Sequence, residues 1–196
     1  MKHKVAIITA ASRGMGAACA RELAENDYHV VLMSTTDSVL ALADELGGKG
    51  MIGNVTNPDD LQNIVDLAVE SYDQVEAVIN NTGHPPKGEL LEITDGDWRY
   101  AFDLLLMNVV RMCRLVVPLM LKNGGGAIVN ISSFGAEEPN LAFPTSSTIR
   151  AGLSAYVKLF ADKYGKDALQ TIEWGYGTVN PSQFGYKKPE KRRRKG

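Results

Sequence analysis

Cysteine and histidine are too scarce and too scattered in this chain for a metal centre or a disulfide framework. The two cysteines, Cys19 and Cys113, fall in helical patterns without paired spacing, and the three histidines, His3, His29 and His84, show no ligand spacing. No metal is expected, and both thiols read as reduced and partly buried. A continuous apolar run of about 18 residues, the length that spans a bilayer, is also missing. Met1-Lys2-His3-Lys4 leads into an apolar stretch of strand length, not a secretory segment. The expectation is a cytosolic protein with no membrane span. Strong charge of one sign is missing as well: the net is −2. Its distribution is uneven, because the last ten residues hold seven of the 21 basic side chains and one of the 23 acidic ones. Residues 187–195 read as a solvated tail, since a run without aromatic interleaving is weak support for nucleic-acid binding.

What is present is enough for one buried core: 196 residues, 44% of them hydrophobic. Residues 5–16, Val-Ala-Ile-Ile-Thr-Ala-Ala-Ser-Arg-Gly-Met-Gly, join an apolar run to a glycine turn and then to a helical pattern over 17–25. A buried parallel strand reads as such a run, and a helix after a tight turn aims free N–H groups at an anion. Further strand-like runs follow at 29–33, 51–52, 75–79 and 127–131, alternating with helical patterns at 38–46, from Pro58, at 95–122 and at about 148–164. Asn57 is placed to cap the helix that Pro58 starts. The helix over 95–122 is apolar on more than one face, which predicts a second packing surface. This alternation gives an α/β fold, a three-layer doubly wound parallel sheet of Rossmann type. Ligands of such sheets sit at the carboxyl ends of the strands, where residues 10–16, Ser34, Asn54, 80–83 and Ser132-Ser133 fall.

Over about residues 3–167 the chain resembles the short-chain dehydrogenase/reductase family. Thr9-Ala10-Ala11-Ser12-Arg13-Gly14-Met15-Gly16 is similar to the family's Thr-Gly-x-x-x-Gly-x-Gly turn, with alanine at the first glycine. Asn80-Asn81-Thr82-Gly83 is similar to its Asn-Asn-Ala-Gly, and residues 126–133, Gly-Ala-Ile-Val-Asn-Ile-Ser-Ser, to its fifth strand. The resemblance implies a dinucleotide held by Thr9, Ala11, Ser12, Arg13, Gly14, Met15, Gly16, Ser34, Thr35, Asn54, Val55, Asn81, Thr82 and Gly83. It further implies Ser133 as the group that polarises a substrate carbonyl and Asn108 as part of a water-linked proton relay. Ser34, Thr35 and Thr36 at the second strand's end, with Arg13 in the turn, place NADP ahead of NAD, although Asp37 is near enough in sequence to reach a ribose.

The family's proton donor, a tyrosine with lysine four residues on, has no counterpart. Thirteen residues past Ser133 stands Ser146, and the lysine position is Arg150. A serine hydroxyl is a far weaker acid than a phenol, and a guanidinium keeps charge without cycling protons. Three readings follow. The first is an NAD(P)-dependent oxidoreductase acting on a carbonyl or alcohol, using Ser133, Asn108 and water, with Ser146 or His84 as proton donor. The second is a dinucleotide-binding or sensing protein without turnover. The third is a structural partner of an active relative. The long helices imply a homodimer or tetramer.

Past Asp167 no sixth strand is recognisable, so the reading divides the chain into a nucleotide-binding domain, 1–167, and a divergent segment with a basic tail, 168–196. It expects a sheet truncated after the last long helix with an unpaired edge, and it allows for a break in the reading frame near residue 167.

Overall fold

The apolar run that opens the chain becomes the centre of a sheet. In the computed structural model, which describes residues 3–176, β1 (Lys4–Thr9) is flanked on one side by β2 (Tyr28–Ser34) and β3 (Lys49–Ile52). On its other side lie β4 (Ala77–Asn80), β5 (Gly126–Ser133) and β6 (Leu169–Tyr176), in the order β3-β2-β1-β4-β5-β6, all parallel. The helices are α1 (Gly14–Glu25), α2 (Ser38–Glu45), α3 (Pro58–Tyr72), α4 (Asp95–Phe102), α5 (Asn108–Lys122) and α6 (Pro144–Tyr164). The chain winds outward from β1 and then crosses back to β4, so a crevice opens where the two directions part, at the carboxyl ends of β1 and β4. The doubly wound architecture read from the sequence is the one found.

Successive β1 residues face opposite layers. Ile7 joins Met33, Ile64, Met112 and Met120 on one side, and Ile8 joins Leu32, Val39 and Leu42 on the other. Burial on both faces explains why these strands are continuous apolar runs. Asn57 caps α3 by accepting from the Asp59 N–H at 3.0 Å, and Pro58 takes the first helical position.

Three expectations are corrected. The first concerns residues 95–122, which do not form one regular helix. A π-helical turn, Asp103–Met107, separates α4 from α5, and Pro118 interrupts the bonding inside α5. The Arg111 guanidinium bridges back to Asp103 at 2.8 Å across that turn. The whole stretch Asp95–Lys122 is long and apolar enough, by length and composition, to cross a membrane, yet half of its most apolar window is buried on the sheet. The second concerns α6, which starts at Pro144 rather than 148, so Ser146 lies inside the helix. The third concerns the sheet's edge. β6 pairs with β5 along its whole length, so the fold continues past residue 167 and β5 has no unpaired edge. As the sheet's outer strand, β6 alternates a buried Leu169 with exposed Gln170 and a half-exposed Ile172, a pattern unlike the buried inner runs. The tail, 187–195, lies outside the described residues.

Polar side chains cross the sheet near its carboxyl end. Asn80 Nδ2 donates to Asn130 Oδ1 at 2.9 Å, and Asn130 Nδ2 reaches Thr171 Oγ1 at 3.4 Å. Both asparagines are buried. Asn80→Ala should therefore strand the Asn130 oxygen without a donor and lower stability by about 1–3 kcal/mol, which urea unfolding would measure.

Candidate functional site

Thr9, at the end of β1, is fully buried, and its side chain fastens β1 to the segment after β4. Its hydroxyl donates to the Asn81 carbonyl at 2.7 Å and accepts from the Asn81 N–H at 3.0 Å. Asn81 Nδ2 in turn donates to the Ala10 carbonyl at 3.2 Å. Ala10 sits at φ 47°, in the left-handed region where a side chain costs about 1–2 kcal/mol and glycine costs nothing. The glycine of the related motif is thereby explained, and so is the strain that alanine carries here.

The turn then delivers the start of α1. Arg13 occupies the cap position in extended backbone, and no side chain caps the helix. The first N–H groups of α1 are thus free to bind an anion. Gly14, at φ +57°, has open space where a side chain would project. Gly16 is the opposite case: a β-carbon there would lie 2.5 Å from the Ala10 carbonyl oxygen and 2.9 Å from both Ala11 Cα and Asn81 Nδ2.

Above this turn is a cavity of about 530 Å³. Its floor is Ala10, Ser12, Arg13, Gly14 and Met15; one wall is Ser34, Thr35, Thr36 and Ser38; another is Gly53, Asn54 and Val55. Asn81, Thr82, Gly83 and His84 close it with Tyr100 and Leu104. Ser34 donates to Ser12 at 3.0 Å, joining floor to wall. The Asn54 Oδ1 accepts from the Thr56 N–H at 3.0 Å, which leaves its Nδ2 as the available donor. Three sequence candidates do not line the cavity. Thr9 and Gly16 act by building the turn. Ala11 is fully buried and gives its N–H to the Met33 carbonyl at 3.0 Å, so it stands behind the cavity wall. Tyr100 and Leu104 went unnoticed, because a helix over 95–122 gives no sign of which residues turn toward a distant strand end.

Three of the four candidate reaction residues, Ser133, Ser146 and Arg150, gather at the end of β5, the fourth, Asn108, starts α5, and none lines that cavity. Ser133 Oγ accepts from the Gly135 N–H at 3.3 Å, so its own proton remains available to donate. Ser146 and Arg150 are one turn apart on α6, with Arg150 Nε donating to Ser146 Oγ at 3.3 Å. Arg150 Nη1 donates to the Ile131 carbonyl at 2.6 Å, which seats α6 on β5. Burial pushes the Arg150 guanidinium below its ordinary value, and the Glu173 carboxylate pushes it back up. Asn108, 2% exposed at the start of α5, is not bonded to these three; its Oδ1 is the buried side-chain polar atom left without a partner among the described residues. His84 is exposed at the cavity rim. The loop that follows it is tied to α6, since Thr145 Oγ1 donates to the Pro86 carbonyl at 2.5 Å and the Lys87 ammonium stands 4.6 Å over the Phe143 ring.

Comparison with known proteins agrees with this geometry. The family model described as short chain dehydrogenase matches residues 4–192. The 3-oxoacyl-(acyl-carrier-protein) reductase of Vibrio cholerae is 30% identical over 164 residues, covering 82% of this chain and 67% of that protein. The human dehydrogenase/reductase SDR family member 4 is 30% identical over 168 residues, covering 82% and 60%. The crystal structure of L-sorbose reductase from Gluconobacter frateurii, complexed with NADPH and L-sorbose, superposes with a TM-score of 0.80 at 28% identity, covering 88% of this chain and 69% of that one. The match therefore spans about two thirds or less of each curated relative.

Proposed function

The chain belongs to the short-chain dehydrogenase family, and from that premise we propose that it is an NAD(P)-dependent oxidoreductase with an altered proton relay. It would reduce a small carbonyl compound or oxidise the corresponding alcohol. The observation that carries the reading is the uncapped start of α1 over the cavity, with Gly16 packed against the turn so closely that the helix end meets whatever the cavity holds. A dinucleotide fits this arrangement: the α1 N–H groups suit its pyrophosphate, and Asn54 Nδ2 suits a ring nitrogen of its adenine. Ser12, Arg13, Ser34 and Thr35 offer hydroxyls and a cation with no carboxylate among them, which suits a 2′-phosphate and places NADP ahead of NAD. When bound, the nicotinamide supplies or accepts the hydride.

At the reaction end, Ser133 donates a hydrogen bond to the substrate oxygen and so polarises the carbonyl, keeping its own proton. Ser146 already accepts from Arg150 Nε, so its O–H is free to point at the same oxygen, and the nearby guanidinium charge favours proton release from it. Asn108 Oδ1 is an acceptor in want of a donor, as a relay water would be. Two relatives are named as reductases of carbonyl compounds, a 3-oxoacyl-(acyl-carrier-protein) and L-sorbose, which supports the carbonyl class. The soluble-enzyme reading places the protein in the cytosol. Half-exposed Leu121 on α5 and largely exposed Leu159 on α6 support a homodimer or tetramer built on those helices.

The test is a titration with NADPH and NADH, followed by turnover with a panel of ketones. NADPH is expected to bind more tightly, and Ser34→Asp should reverse the order by about tenfold or more through repulsion of the 2′-phosphate. Ser133→Ala should abolish turnover without loosening NADPH. A second reading, binding without turnover, is favoured by one observation: Ser146 and Arg150 hold each other where a phenol and an ammonium would be. NADPH binding with no turnover of any ketone, and no effect of Ser133→Ala, would select it.

A further inference from the structure

Arg150 presents a problem of charge. The residue is 9% exposed, and a buried cation without a counter-charge is expensive. The two acceptors it touches, the Ile131 carbonyl and the Ser146 hydroxyl, are both neutral. The negative charge comes from β6. Glu173 lies in register with Asn130 on β5, its carboxylate accepts the Ser132 hydroxyl, and its field acts on Arg150 against the effect of burial. Among the described residues no ion-pair contact joins the two, so Glu173 acts through its charge and through the place Ser132 gives it.

We propose that Glu173 is the positioning residue of the reaction end: anchored by Ser132, it is the counter-charge that keeps Arg150 seated between β5 and Ser146. This rests on the oxidoreductase reading above. One cation and one anion then leave this end of the site close to neutral, so Arg150 orients Ser146 rather than attracting an anionic substrate from solution. The device depends on β6, which carries Glu173. Glu173 itself touches neither substrate nor cofactor; its influence passes through Arg150.

A double-mutant cycle reads this directly. Glu173→Gln keeps an acceptor for Ser132 and removes the charge; Arg150→Gln removes the guanidinium. NADPH affinity and ketone turnover are measured for the wild type, each single variant and the pair, with unfolding midpoints for all four. Glu173→Gln is expected to lower kcat/KM about tenfold in the wild-type background and to have no further effect once Arg150 is gone. Equal losses in both backgrounds, or no loss in the first, overturn the proposal while leaving NADPH binding intact. A wild-type chain that binds neither NADPH nor NADH overturns the oxidoreductase reading and the proposal with it. Should Arg150→Gln fail to fold, Arg150→Lys replaces it; that variant retains a cation, so Glu173→Gln must still cost about tenfold there, and an unchanged kcat/KM overturns the proposal.

Discussion

Gly16→Ala should lower stability by about 1–3 kcal/mol and weaken NADPH binding at least about tenfold. The added methyl meets two groups that belong to the turn itself, the Ala10 carbonyl oxygen at 2.5 Å and Ala11 Cα at 2.9 Å. Backbone cannot rotate out of the way as a side chain can. The third neighbour, Asn81 Nδ2, is a side-chain group, yet it donates to that same Ala10 oxygen, and moving it breaks the tie between β1 and β4. Relief must come from α1 sliding off the turn, which carries its free N–H groups away from the cavity. Gly14→Ala supplies the control. Nothing crowds a β-carbon there, but φ +57° makes any side chain pay about 1–3 kcal/mol of strain. The two variants should therefore lose similar stability, with Gly16→Ala losing more affinity. Urea unfolding and NADPH titration measure both, and wild-type affinity in Gly16→Ala would refute the role given to this helix end.

The turn was legible in the sequence because its constraints are local. An apolar run buried on both faces, a pair of glycines and a helix are adjacent in the chain, and the same holds for Asn57-Pro58 at the start of α3. The doubly wound parallel sheet was legible for a related reason, since alternating strands and helices admit few unknotted right-handed windings. What the pattern could not show depends on distant partners. Ala11 looks like its neighbours in the motif, and only the bond of its N–H to Met33 reveals that it faces inward. Tyr100, near the end of α4, and Leu104, inside the π-helical turn, reach the cavity from a stretch in which an even run of Leu and Met conceals that turn.

β6 is the clearest case of information held elsewhere. Its residues alternate as an outer strand does, and they gain strand character from a fully paired neighbour rather than from their own composition. With the strand came Glu173, a carboxylate no motif pointed to, and with Glu173 a reason for the arginine at position 150. The proposed counter-charge thus stands by the replaced pair although it is distant in the chain: Ser146 and Arg150 lie on α6, and Glu173 lies on the strand beside β5.

That grouping sets the expected outcome for rebuilding the pair. Ser146→Tyr combined with Arg150→Lys should raise ketone turnover by about a hundred- to ten-thousand-fold, the contribution of a well-placed general acid. A phenol ionises near pKa ~10, and an ammonium one helical turn away favours its charged form further, whereas the serine hydroxyl it replaces does not ionise in water's range. Ser146→Tyr alone should give part of the gain, because Arg150 remains as a cation beside the new ring. Arg150→Lys alone should give none and should cost about 1–3 kcal/mol of stability, since the Ile131 carbonyl loses its 2.6 Å donor. NADPH affinity, measured alongside, separates a ring that fits from one that pushes α6 off β5. If affinity is kept and the double variant turns over no faster than the wild type, proton supply is not what limits this chain. If, in addition, neither the wild type nor the double variant turns over any ketone, the cavity at the start of α1 holds a dinucleotide without reaction, and the reading of binding without turnover takes the place of the oxidoreductase.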